Sequence, residues 1–270
     1  MGKELSVSGL LPLLLGVACG QGSSRALGDL RLEPGLNKSY TYVVQTTEPG
    51  SPIHRFQCRI VQSVTFRSKS SKGFEASTKT LDIEGVDLPR GMLSARGMVI
   101  PMDLDPHGAI EKPAGRALGF WVASLGPGIF GAVLPKGPIH EGMSWSTPID
   151  LRDINGAHQL LDLRLFSGSL KSDENLDSRA KLNCRVIRIA QGAVTIESSL
   201  DKTLKIAMHA HNPNPSVHMP MEILATLSAQ MTGRTVISAA DGMLMEADST
   251  VRTNWGNRVF NFETRIRRQR

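Results

Sequence analysis

The sequence predicts a mainly β protein, a large curved antiparallel sheet of half-barrel type with one apolar helix covering it. Three observations point there. Apolar and polar residues alternate with a period of two along most of the chain, the spacing that puts one face of a strand in a core and the other in solvent. Turn signals built from Gly, Pro, Asp and Asn separate these runs at short intervals, as in a meander whose neighbours run antiparallel. Only the stretch from Pro113 to Trp145 breaks the pattern, and it opens with apolar residues three and four apart.

Residues 1–19 stand outside that plan. Leu5 to Ala18 carries no charge, short for a membrane span of about 20 residues but right for a signal-peptide core. Cys19 then occupies the place of the lipidated Cys in a bacterial lipobox. Ala18 and Val17 fit that pattern, Gly16 stands where Leu is usual, and simple cleavage near Gly20 is the alternative. Residues 20–29 read as a flexible tether, and the folded part is expected from 30 to 270. Export places the chain outside the cytoplasm, where disulfides can form. Cys58 in RFQCRIV and Cys184 in KLNCRVI both fall on the apolar side of their strands. They read as two buried thiols, or as a bridge if their Cα atoms come within about 7 Å.

The elements follow in order. In SYTYVVQTT, Tyr40, Tyr42 and Val44 share one strand face; strands from Ile53 to Arg67 and Phe74 to Val86 come next, each bounded by a polar turn. Met92 to Lys112 reads as strand, Asp-Pro-His-Gly turn and strand. Asp103, Asp105 and Gly108 resemble part of a calcium loop, but Ala114 stands where its last acidic ligand belongs, so a turn held by Asp side chains is the expectation. Leu118, Trp121, Val122 and Leu125 have helical spacing, and Gly126-Pro127-Gly128 ends that helix. Gly126, Gly128 and Gly131 mimic a dinucleotide-binding pattern without its βαβ surroundings. The uncharged run from Ala117 to Pro135 has the bare length of a membrane span, but Gly and Pro interrupt it. A buried helix plus loop over 113–145 is the expectation, with Leu118, Trp121, Val122, Leu125, Phe130 and Trp145 as an apolar cover or pocket.

The second flank repeats the plan. A strand ends near Leu151, a turn covers Asp153 to Gly156, and Leu161, Leu163 and Leu165 alternate in a strand over Ala157 to Ser167. Five more strands follow, over Asn175 to Ala190, Gly192 to Met208, Met221 to Ala239, Gly242 to Asn254 and Arg258 to Arg267. Cys58-Arg59-Ile60 matches Cys184-Arg185-Val186, and the turn at Gly108 matches the one at Gly242. The chain therefore reads as one domain of two similar halves, about 30–112 and 146–270, a tandem duplication joined by the helix and loop.

Pro34, Gly35, Tyr40 and Tyr42, together with Leu134, Pro135, Pro138, Ile139, Gly142 and Trp145, resemble the motifs of an uncharacterised family of bacterial cell-envelope proteins. The layout is similar to that of the outer-membrane lipoprotein carriers, whose half-barrel wraps a helix and a lipid-binding hollow. The resemblance implies a location and a shape without an activity.

The net charge of +6 is spread over many strands, and only 5% of residues are aromatic, too few for the stacking platforms of single-strand nucleic-acid binders. No nucleic-acid partner is expected. Gly-x-Ser-x-Gly, Cys-x-x-Cys and His-Glu-x-x-His are missing, so no catalytic residues and no cofactor are assigned. Met208, His209, His211, His218, Met219 and Met221 could hold copper or zinc, or be incidental to a loop between strands. The leading expectation is a non-enzymatic lipoprotein whose curved sheet binds an apolar or lipid ligand or an envelope protein. The alternatives are a structural or assembly module and a periplasmic metal binder.

Overall fold

The computed structural model describes residues 26–49, 57–70, 73–86, 88, 96–112, 133–150, 179–210, 221–255 and 258–269. The first meander comprises β2 (Ser39–Thr47), β3 (Gln57–Ser70), β4 (Gly73–Val86), β5 (Val99–Leu104) and β6 (Ile110–Lys112), preceded by β1 (Ala26–Asp29). A second comprises β8 (Ser144–Asp150), β9 (Arg179–Ala190), β10 (Ala193–Ala210), β11 (Met221–Ser238), β12 (Leu244–Trp255) and β13 (Arg258–Arg268), preceded by β7 (Pro138–His140). These strands form an 11-stranded sheet in the order β6-β5-β4-β3-β2-β13-β12-β11-β10-β9-β8, while β1 and β7 pair as a separate two-stranded ribbon. Every pairing is antiparallel, and β6 and β8 are the two edges of an open sheet.

The mainly β, antiparallel expectation is what the structure has. Described strand boundaries differ by a few residues: Arg96 to Met98 form a turn before β5 begins at Val99, inside the strand expected from Met92, while residues 53–56 and 92–95 lie outside the described residues. The expected helix at 114–125 and the expected strand at 157–167 lie outside the described residues. One expectation is corrected: Ala26–Asp29, assigned to the tether, is strand β1, because Pro138–His140 supplies the antiparallel partner its short sequence does not advertise.

Directly opposed residues of antiparallel strands share a face. Tracing the register across the sheet gives the row Val186, Ile196, Thr235, Ala247, Ile266, Val44, Ile60 and Ile83, all on the apolar side. That side holds two core clusters. One lies under the first meander around Phe66, Leu104, Tyr42 and Leu32, and the other under the second around Leu182, Val186, Val194 and Ile139. Tyr40, Tyr42 and Val44 are buried together, as their alternation predicts. Phe66 meets Tyr40 and Phe74 edge-to-face at 5.9 Å each, the geometry ring quadrupoles favour.

The segments before β2 and β8 are straps that tie the two meanders together. Glu33 N–H donates to Asp241 O at 2.8 Å, on the corner between β11 and β12. Leu134 N–H donates to His107 O at 2.9 Å, on the corresponding corner between β5 and β6. Both corners are held by Asp side chains: Asp105 Oδ1 accepts the His107 and Ala109 N–H groups at 2.8 Å, and Asp241 Oδ1 accepts that of Met243 at 3.1 Å. Gly242 has φ +65, and a Cβ there would lie 2.3 Å from Arg31 O, so the strap passes where only glycine leaves room. Asp29 closes the junction by accepting from Gly137 N–H at 2.9 Å, from Arg31 Nε and, at 3.4 Å, facing His107 Nε2. The Gly137 N–H and the Arg31 guanidinium hold its carboxyl below the usual carboxylate range.

The motif residues of the straps have structural tasks. Gly35 N–H donates to Tyr40 Oη at 2.9 Å, Gly142 N–H to Val186 O at 2.8 Å, and the Trp145 indole N–H to Val133 O at 2.9 Å. Leu134 and Ile139 are buried in the second core cluster.

Candidate binding face

Every strand that buries one face presents the other to solvent, and the register decides which outward residues become neighbours. Two outward rows run side by side. The first reads Ser146, Asn183, Ser199, Thr232, Thr250, Glu263, Thr47 and Gln57, a line of hydroxyl and amide groups with one carboxylate. The second reads Arg185, Glu197, Arg234, Asp248, Arg265, Gln45, Arg59 and Glu84, in which acid and base alternate except at Gln45.

Two hollows lie over these rows. The larger, about 960 Å³, is lined by both rows from β8 to β13, with Arg267 at its side. The smaller, about 460 Å³, continues over Gln45, Thr47, Gln57, Arg59 and Glu84 and shares Glu263 and Arg265 with the first. Apolar-side neighbours such as Leu182, Val186 and Ile196 take no part in the lining, so both hollows open on the polar face. Together they make one trough across nine strands, about 38 Å at the ~4.8 Å spacing between strands.

Between the two rows, pointing to the core side, runs Trp145, Cys184, Ser198, Gly233, Ser249, Thr264, Thr46 and Cys58. Its small side chains back the trough floor. Cys58 and Cys184 are buried thiols, not joined in a disulfide, with five strands between them, and burial pushes each up to about 12. A thiol held there is protonated at neutral pH and is a poor nucleophile.

Several charges of the second row are already matched. Arg59 Nη1 donates to Glu84 Oε2 at 3.3 Å, and Arg267 Nη2 reaches both oxygens of Asp248 at 2.9 Å. The side chains of Arg185, Glu197, Arg234 and Arg265 make no ion pair or hydrogen bond among the described residues.

A third outward row flanks the second and reads Arg188, Thr195, Val236, Glu246, Arg267, Val43, Val61 and Asp82, valines set among charges. To these, β-bulges add Ile187, Met245 and Leu81, exposed by 37%, 39% and 43%. Each bulge inserts one residue that the partner strand does not match, which turns these side chains outward at one level of the sheet.

The residues singled out in the sequence fall apart in space or fall outside the structure. Cys19, His211, His218, Met219, Leu118, Trp121, Val122, Leu125 and Phe130 lie outside the described residues. Met208 and His209 are on β10 and Met221 on β11, in register with Ile223, Glu222 and Ala210. Trp145 packs against the second core cluster. Among the described residues, no group of three His, Cys, Asp or Glu side chains is placed to hold a metal ion. The trough itself was missed because a strand's outward residues read one strand at a time as ordinary solvated positions. The shared Cys-Arg-Ile and Cys-Arg-Val segments were its one sequence signal, since they place Arg59 and Arg185 in the same row. No protein-family model matches the sequence and no curated protein matches it significantly.

Proposed function

We propose that this is a non-catalytic cell-envelope protein, exported by its apolar leader, held to a membrane by a lipid on Cys19, and docking a protein partner on the outward face of its sheet. The trough across nine strands carries the reading. A partner laid along it meets hydroxyl and amide groups that satisfy hydrogen bonds, fixed charges that select orientation, and the bulged Ile187, Met245 and Leu81 beside them, which supply apolar surface to bury. Charged and hydroxyl side chains line the described hollows, while the described apolar side chains pack into two clusters on the other face, which favours a protein partner over a lipid cargo.

Photo-cross-linking residues introduced at Thr232 and Thr250, in the floor, and at Leu36, in an exposed turn away from it, test the docking face in the cell envelope. Adducts are expected from the first two and not from Leu36; none at all, or equal yields from all three, would overturn the reading. The tether is tested separately by Cys19→Ser, which is expected to move the protein from the membrane fraction to the soluble one.

A further inference from the structure

Building on that docking face, we propose that the partner it takes is a second copy of this chain, related by a two-fold axis that passes between β12 and β13. The alternating row has eight members, one on each strand from β9 to β4, and its centre falls between Asp248 and Arg265. An alternating row with an even number of members is its own complement when turned end for end. The axis sets Arg185 against Glu84 of the second copy and Glu197 against its Arg59. Nearer the centre, Asp248 meets Arg265, and Arg234 meets the neutral Gln45. Each contact occurs twice, as an isologous interface requires, and no two like charges face each other along the row.

Two further observations favour a second copy. The side chains of the row without a partner among the described residues, Arg185, Glu197, Arg234 and Arg265, are the ones the axis supplies with an opposite charge or an amide. With the axis lying in the interface parallel to the strands, each flanking row meets its own reversed copy, so that Val43 faces Val236, Glu246 faces Arg267, Arg188 faces Asp82 and Thr232 faces Thr47, while Leu81, Met245 and Ile187 lose solvent. Three rows across eight strands cover roughly 700 Å² per copy, close to the ~800 Å² per partner of a standard stable interface.

Because the contacts are ionic, the dimer is expected to weaken as salt is raised. Glu197→Arg and Arg59→Glu each place like charges across the axis twice, and each is expected to raise the dimer dissociation constant at least tenfold. Mixed in equal amounts, the two variants restore both contacts as a heterodimer. Sedimentation or light scattering on the leaderless chain reads the masses, and circular dichroism confirms that each variant is folded. A dimeric parent, weakened single variants and a dimeric mixture support the proposal. A monomeric parent at high micromolar concentration, single variants that dimerise like the parent, or a mixture that stays monomeric overturns it. A monomeric parent whose trough positions still cross-link to another protein removes the second copy and leaves the docking face standing; absence of any trough adduct removes both.

Discussion

Gly242→Ala tests how tightly the strap is drawn against the sheet. Two costs add at that position. Holding alanine at φ +65 costs about 1–2 kcal/mol, because Cβ crowds the neighbouring carbonyl in the left-handed region. The added Cβ also overlaps backbone: Arg31 O at 2.3 Å, Arg31 C at 2.8 Å and Leu32 N at 3.1 Å. Backbone cannot rotate away as a side-chain tip can, so the strap must lift. Lifting it breaks the Glu33 N–H bond to Asp241 O and pulls the buried Leu32 N–H from Pro106 O, a further cost of about 1–3 kcal/mol. Gly192→Ala is the matched control, since Gly192 has φ +74 with nothing within 4 Å of its Cβ position and carries the conformational cost alone. Chemical denaturation is therefore expected to separate the two variants by about 2 kcal/mol, the sum of neither cost but the difference between them. Thermal melts are expected to separate them by about 4–8 °C at 2–4 °C per kcal/mol. Equal losses would refute the close approach of strap and corner.

Three other outcomes are expected. Phe66→Ala removes a ring with no exposed surface and two edge-to-face partners, and a loss of about 3–5 kcal/mol is expected in denaturant titration. Cys58 and Cys184 are expected to stay unmodified by a thiol-specific reagent in native buffer at neutral pH and to react together in denaturant, as peptide mass mapping would report; rapid native labelling would contradict their burial. Asp29→Asn keeps an acceptor for the Gly137 N–H but loses the charge, so a stability deficit of about 1 kcal/mol is expected at neutral pH. Because the carboxyl titrates below 3.8 in the folded chain, its advantage is present above that value and lost as pH falls further, and parent and variant are expected to converge in acid.

How much of this was legible depends on whether the controlling contact is local. The alternation in SYTYVVQTT is a property of nine consecutive residues, and it placed Tyr40, Tyr42 and Val44 correctly in the core. The Asp105 corner was legible for the same reason, its hydrogen bonds closing within four residues. β1 was not, because its partner lies more than a hundred residues away at Pro138–His140. The bulges at Leu81, Ile187 and Met245 were hidden as well, since a bulge exists only relative to the strand beside it. The alternating charge row is the extreme case. Arg185 and Glu197 are close in sequence, but Arg265 and Gln45 become neighbours only through the pairing of β13 with β2.

That pairing also dictates when the sheet can exist. The last strand of the sheet in chain order is the piece inserted between the two meanders, so a polypeptide interrupted before Arg258 has two half-sheets whose inner edges, β2 and β12, lack their shared partner. Strand edges of that kind recruit other chains, and premature termination or early release would expose them together. The sheet is joined at its centre by the last of its strands to be made, and the order of synthesis leaves that central pairing until the others exist.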